Sequence, residues 1–299
     1  MHLEAFMNIF FGIVFAPLLA GIISRVKARV AGRTGKPLLQ LYFDIYKNFR
    51  RGAVYSTTTS WLFRAGPIVG LAAALTALAI APPLGSAAPL AFTGDVLLFA
   101  YMLGLMRFFT VLAALDTGSS FEGMGASREV FFSALAEPVL LLGLAAVARK
   151  AGTLQLSELL AAASATSPEL VLVLAALCIV FLCENARIPF DDPNTHLELT
   201  MIHEVMVLDH SGPDFAFIEC GAALKMWVLG SVIVGLVLPG AGENAWLVNG
   251  AAMLAGMFVL AISVGTVESV MARLRLLRVP QLLMTAGALS AFAFILVMR

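Results

Sequence analysis

The residues able to do chemistry in this sequence are charges set inside apolar runs. Arg107 falls in the middle of one run, Glu137 lies inside the next beside Pro138, Glu184 and Arg187 close a third, and Glu219 and Lys225 open a fourth. An ionisable side chain in hydrocarbon is costly enough that each marks a functional site or an answered ion pair. Arg107 and Lys225 are the cations available for pairing within the membrane. Glu184 and Arg187 are three residues apart, so a continuing helix brings them to one face as an ion pair. One such pair can be purely structural. Acids spread over successive helices point instead to a proton path, because a carboxylate held between desolvation and a neighbouring cation can change protonation with conformation.

The longest charged stretch, residues 184–220, reads ENARIPFDDPNTHLELTMIHEVMVLDHSGPDFAFIEC and carries a single arginine among many acids. Pro189 ends the preceding helix, and Asp192-Pro193 resembles a helix N-cap followed by proline at the first helical position. His196, His203 and His210 then recur every seven residues, forming one stripe on a continuous helix. Neighbours in that stripe lie about 10 Å apart, too far to share one ion, so no metal site is expected. Histidine beside Glu204 can tune proton affinity near neutral pH, or the whole stretch is an acidic surface for a basic partner. Cys178, Cys183 and Cys220 form no CxxC pair. The sequence also lacks a Walker loop, a GxGxxG, an HExxH and a cysteine quartet, so any redox cofactor belongs to other subunits.

These residues must be positioned by membrane helices. Of the chain, 60% is hydrophobic and only 13% charged, about half the charged fraction of a soluble domain. The formal charge of zero gives no basic excess for nucleic acid. Eight apolar runs approach the roughly 20 residues needed to span a bilayer, near 3–23, 63–83, 95–115, 130–149, 170–187, 221–239, 246–267 and 280–298. An all-α polytopic fold follows, read as one integral membrane domain over 1–299. The first run has no basic segment before it, so it reads as a retained helix rather than a signal peptide. Residues 37–51 place Leu38, Leu41, Tyr42, Ile45 and Phe49 at helical spacing in a segment too short and polar to span. It should lie along the membrane surface, as an anchor or as the edge of a lateral entrance. Lys and Arg crowd the first loop and recur at Arg273, Arg275 and Arg278, whereas Arg149, Lys150 and Arg299 serve the other side. The positive-inside bias therefore puts both termini on the non-cytoplasmic side of the cell membrane.

The words PFDDP and HLELTMIHEVM resemble the signature loop of the respiratory complex I membrane subunit 1 family, whose members line the quinone chamber. They are more similar still to the membrane subunit of formate hydrogenlyase and related energy-converting membrane-bound [NiFe] hydrogenases. GRTGKPLLQLYFDIYKNFRR in the first loop and DTGSSFEGMGASREVFFSALAEP around the fourth span support the resemblance, which extends over nearly the whole chain.

The resemblance implies an eight-helix, non-catalytic membrane-anchor and coupling subunit of an oxidoreductase complex. Its partners would be peripheral hydrogenase-like large and small subunits, carrying iron–sulfur clusters and a NiFe centre, together with antiporter-like ion-translocating membrane subunits. It further implies that Glu137, Glu184, Glu198, Glu204 and Glu219 match acids on the channel between redox site and membrane arm, and that Arg187 is the signature arginine. Asp191 and Asp192 lie in the acidic loop, which with His196 and His203 would face the redox arm. The quinone-reducing branch reads closer to ETNRAPFDLPE, whereas this chain has Asn185-Ala186 and then Asp192-Pro193-Asn194-Thr195-His196. That departure points to the hydrogenase branch. The alternative is a quinone-binding subunit, with quinone between the first helix, the surface helix and the acidic loop. A stand-alone secondary transporter would commonly show inverted repeats, and none is apparent. A passive scaffold would tolerate neutralisation of its buried acids.

Overall fold

The structure, a computed structural model, describes residues 6–162, 167–191, 201–238, 240–241 and 245–298. Its helices are α1 (Met7–Val30), α2 (Gln40–Phe49), α3 (Trp61–Ile80), α4 (Asp95–Asp116), α5 (Ser120–Ala151), α6 (Leu156–Ala162), α7 (Pro168–Glu184), α8 (Gly212–Val237), α9 (Trp246–Val270) and α10 (Val279–Val297). Short 3-10 turns cover Glu204–Val207 and Leu276–Arg278. Among the described residues there is no strand.

Among the described residues, seven helices are long and apolar enough to cross a membrane: α1, α3, α4, α5, α8, α9, and α10 with its preceding turn. The eighth expected span is α7, which has only 17 residues, the lower end of the spanning range. The expected count of eight is therefore not met strictly. Helices are favoured here because hydrocarbon offers the backbone no hydrogen-bonding partner, and a helix satisfies its own amides.

Two helices begin well before their apolar runs. The fourth expected span was read from 130, but α5 begins at Ser120, and the sixth was read from 221, but α8 begins at Gly212. Backbone pairing does not stop where hydropathy does, so these polar extensions carry Glu122, Arg128, Glu129, Asp214 and Glu219 on ordered helix.

The bundle is organised around α8, the most buried of the spanning helices, which packs against α1, α2, α3, α6, α7 and α9. At its middle Trp227 is fully buried and donates its indole N–H to Asn8 Oδ1 at 2.9 Å, while Asn8 Nδ2 donates to the Ala81 carbonyl at 2.8 Å. A buried amide in hydrocarbon is tolerable because both of its ends are answered. The approach of α9 to α1 is set by Gly265, where an added Cβ would lie 2.8 Å from Val26 Cβ.

Loop contacts define two ends. At one, Val54 N–H donates to Ser211 Oγ at 3.1 Å, Leu274 N–H to the Pro189 carbonyl at 2.9 Å, and Ser60 N–H to Asp116 at 2.6 Å. This end gathers the basic first loop and Arg273, Arg275 and Arg278. At the other, Ala88 N–H donates to Ser157 Oγ at 3.1 Å and Leu156 N–H to Asp95 at 2.6 Å. Residues 40–49 form the expected amphipathic helix. It packs against α8 and α1, with Tyr42 donating to the Val14 carbonyl and Phe49 edge-on to Phe217.

Candidate functional site

Arg107, on the inner face of α4, is the hub of a buried ionic cluster. Its Nη1 reaches Glu137 Oε1 at 2.5 Å, its Nη2 reaches Glu184 Oε1 at 2.5 Å, and its Nε lies 3.3 Å from Glu129 Oε1. Glu129 and Glu137 are eight residues apart on α5, a little over two turns, so both project from one face about 12 Å apart along the axis. Ser133 sits between them and returns its hydroxyl to the Glu129 carbonyl at 2.6 Å. Glu184 is the last residue of α7 and also faces Lys225 Nζ, from α8, at 3.8 Å. His203, from the loop before α8, brings Nε2 to 3.1 Å from Glu129 Oε2.

Four helices and one loop thus bring two basic side chains, three carboxylates and one imidazole together. Arg107, Glu129 and Glu184 expose less than a tenth of their side chains, whereas Glu137 exposes 49%. Gly104 on α4 faces that carboxylate, and the small residue leaves the cluster open sideways between α4 and α5. A half-exposed carboxylate on a helix that also exposes Val130, Phe131 and Leu141 is costly against lipid.

A second ionic group anchors the loop base. Glu268 on α9 lies 2.9 Å from Lys27 Nζ of α1 and 3.6 Å from Arg187 Nη1. The ion pair expected between Glu184 and Arg187 does not form, because α7 stops first. Arg187 N–H bonds to the Leu182 carbonyl at 2.9 Å and Ala186 N–H to the Cys183 carbonyl at 3.2 Å, with Ala186 left-handed at φ 50°. This is a Schellman turn, and it swings Arg187 away from the helix face. Asp191 then accepts from Ile202 N–H at 3.0 Å and His203 N–H at 3.4 Å, and pairs with Arg273 at 2.9 Å.

The remaining expected residues disperse. Glu219 accepts from Asn48 Nδ2 of α2 at 3.0 Å, so it lies beneath the surface helix and outside the Arg107 cluster. Glu204 is half-buried at the start of its 3-10 turn. Asp192, His196 and Glu198, with the expected N-cap at Asp192-Pro193, lie outside the described residues. The histidine stripe needs a continuous helix, but residues 201–203 are not helical and only a 3-10 turn follows. His203 accordingly meets Glu129, while His210 stacks on Phe63 at 3.9 Å with an 8° interplanar angle. Among the described residues no three of His, Cys, Asp or Glu are grouped to hold a metal ion.

Glu129, Glu268 and Glu122 were not selected from sequence. Glu129 and Glu268 each lie one residue beyond an apolar run (130–149 and 246–267). The readable signal for the first was the Glu129, Ser133, Glu137 spacing, one polar stripe on a helix. Glu122 is fully buried at the start of α5 and accepts from Asp209 N–H at 3.0 Å.

Burial against Phe63 pushes the His210 imidazole from its ordinary 6.5 down to about 4. The unfolded chain therefore binds that proton first, and acid favours unfolding. Stability should be full above about pH 6.5, fall by roughly 3 kcal/mol as the pH drops towards about 4, and then level off. Melting of the detergent-solubilised protein against pH should show this step, and His210→Phe should remove it.

The bundle defines a polytopic all-α membrane protein with an ionic cluster buried among its helices. A family model described as NADH dehydrogenase matches residues 3–299. The chain belongs to that family, of the complex I subunit 1 type. It is 32% identical over 289 residues to formate hydrogenlyase subunit 4 of Escherichia coli (strain K12), covering 94% of this chain and 93% of that protein. It is 38% identical over 231 residues to hydrogenase-4 component C of the same organism, covering 76% and 72%. A chain in the membrane-bound sulfane sulfur reductase, an archaeal respiratory membrane complex, superposes with TM-score 0.86 at 23% identity, covering 99% of this chain and 98% of that one. At that identity the likeness is one of fold.

Proposed function

We propose that this chain is the membrane-anchor and coupling subunit of an energy-converting oxidoreductase complex of the hydrogenase type. Its partners are a peripheral redox arm, carrying iron–sulfur clusters and a NiFe centre, and antiporter-like membrane subunits. The cluster around Arg107 carries this reading: three carboxylates from α5 and α7 share one guanidinium inside the bundle. A stack of carboxylates bound to one cation can shift its proton when local charge shifts, without any cofactor in this chain. The kinship to formate hydrogenlyase subunit 4 and hydrogenase-4 component C supports the hydrogenase assignment.

In this arrangement the end bearing the basic loops faces the cytoplasm, as the positive-inside bias requires. The redox arm docks there, over the segment from Arg187 to Ser211, and both termini face the opposite side. The lateral opening at Glu137 faces the next membrane subunit, which supplies the polar surroundings that lipid cannot.

Purification of the tagged chain from its native membrane in mild detergent tests the assignment. Co-purification with a nickel-containing large subunit and hydrogen-evolving activity is expected. A quinone-bearing assembly lacking nickel would move the chain to the quinone-reducing branch, and a solitary chain would overturn both.

A further inference from the structure

The loop before α8 touches the ionic cluster through the side chain of His203. Its Nε2 lies 3.1 Å from Glu129 Oε2, and Nδ1 has no hydrogen-bond partner among the described residues. The backbone around it is held more conventionally. Arg128 Nη1 donates to the Met201 carbonyl at 2.9 Å, and Asp191 accepts the Ile202 and His203 amides. Gly125 lets this segment lie flat on α5, since a Cβ there would run into Val205 and lie 3.0 Å from the Ile202 carbonyl. Position is thus set by backbone contacts, and the imidazole adds a charge-dependent contact to them.

Charge balance indicates what that contact does. Among the described residues His203 meets Glu129 on α5, which pairs with Arg107 on α4; Arg107 in turn holds Glu184 on α7 and Glu137 on α5, and Lys225 on α8 faces Glu184. Arg128 and Asp191 hold its backbone, Glu204 follows it in the chain, and Arg273 stands behind Asp191. With a neutral imidazole, two cations face three carboxylates among the described residues, which leaves one negative charge over. One proton neutralises the cluster, and it has two kinds of seat: the imidazole or a carboxylate. On the imidazole it makes an ion pair with Glu129; on a carboxylate it leaves His203 with a far weaker attraction.

We infer that His203 is a proton-operated latch, closing residues 201–210 onto α5 when the cluster's single exchangeable proton sits on the imidazole and releasing them when that proton sits on a carboxylate or is lost. The inference rests on the reading of the cluster as a proton site. It deepens that reading by joining proton position to the seating of the loop on which the redox arm is proposed to dock. The joining is reciprocal: whatever lifts the loop removes the imidazole and drives the proton towards the carboxylates.

Hydrogen–deuterium exchange of residues 201–210 in the assembled complex tests the latch, with rates corrected for intrinsic pH dependence. Protection in the wild type should fall roughly tenfold from acidic to alkaline buffer, the difference between a charge-assisted and a neutral contact. Glu129→Gln and His203→Gln should abolish the step, and His203→Lys, which keeps a cation, should stay protected throughout. Protection independent of pH in the wild type overturns the inference without need of any variant, as does a step retained in His203→Gln. Exchange reads the latch alone. A coupling defect in Glu184→Gln bears on the proposed function instead, so the two can fail separately.

Discussion

Arg107→Met should be the most damaging single substitution in the chain. The methionine fills similar space and suits hydrocarbon, yet among the described residues it leaves Glu129, Glu137 and Glu184 with only Lys225 and His203 to answer them. Removing one partner of a buried ion pair typically costs about 3–5 kcal/mol, a large share of the 5–15 kcal/mol that usually holds a domain together. The subunit should therefore melt several degrees lower in detergent and be recovered in the complex at much reduced yield. The loss should come from stranded charge and not from lost packing. Adding Glu129→Gln and Glu137→Gln to Arg107→Met should accordingly restore most of the melting temperature, because these sites are in contact and their effects are not additive. If the triple variant melts no higher than Arg107→Met, the cluster is not an electrostatic unit.

Glu184→Gln should behave in the opposite way, sparing the assembly and removing the coupling. The carboxamide can still accept from Arg107 Nη2 through its oxygen, so the link between α7 and α4 survives. What disappears is one seat for a proton and the charge facing Lys225, 3.8 Å away. Melting and subunit composition should stay close to wild type. Electron turnover should hold within about twofold, whereas ion translocation should fail under the proposed role, in which this carboxylate loads and unloads a proton.

Much of this arrangement was legible in the sequence, for identifiable reasons. Apolar length located every long helix, and charge in the loops separated the two ends, since both depend on local composition. Arg107, Glu137, Glu184 and Lys225 stood out because they interrupt apolar runs. Their pairing did not, because Arg107 and Glu184 are 77 residues apart and composition says nothing of which helices touch. Glu129 and Glu268 were lost at the margins of their runs, where hydropathy ends before the helix does. The Schellman turn at Ala186 was hidden because glycine is the usual residue at that position, and alanine gave no sign that Arg187 would leave the helix face. The seven-residue histidine repeat misled because periodicity has meaning only on a continuous helix, and residues 201–207 form none. His203 was selected as part of a loop surface, yet its ring points inward to Glu129.

Ion translocation driven by redox turnover, in proteoliposomes of the native complex carrying wild-type or Glu184→Gln subunit, tests the coupling role most directly. The account predicts an ion gradient in the wild type that a protonophore or matched ionophore collapses, and no gradient in Glu184→Gln at comparable electron turnover. Equal ions moved per electron in both would contradict it, and would reduce the buried cluster to a structural tie between helices.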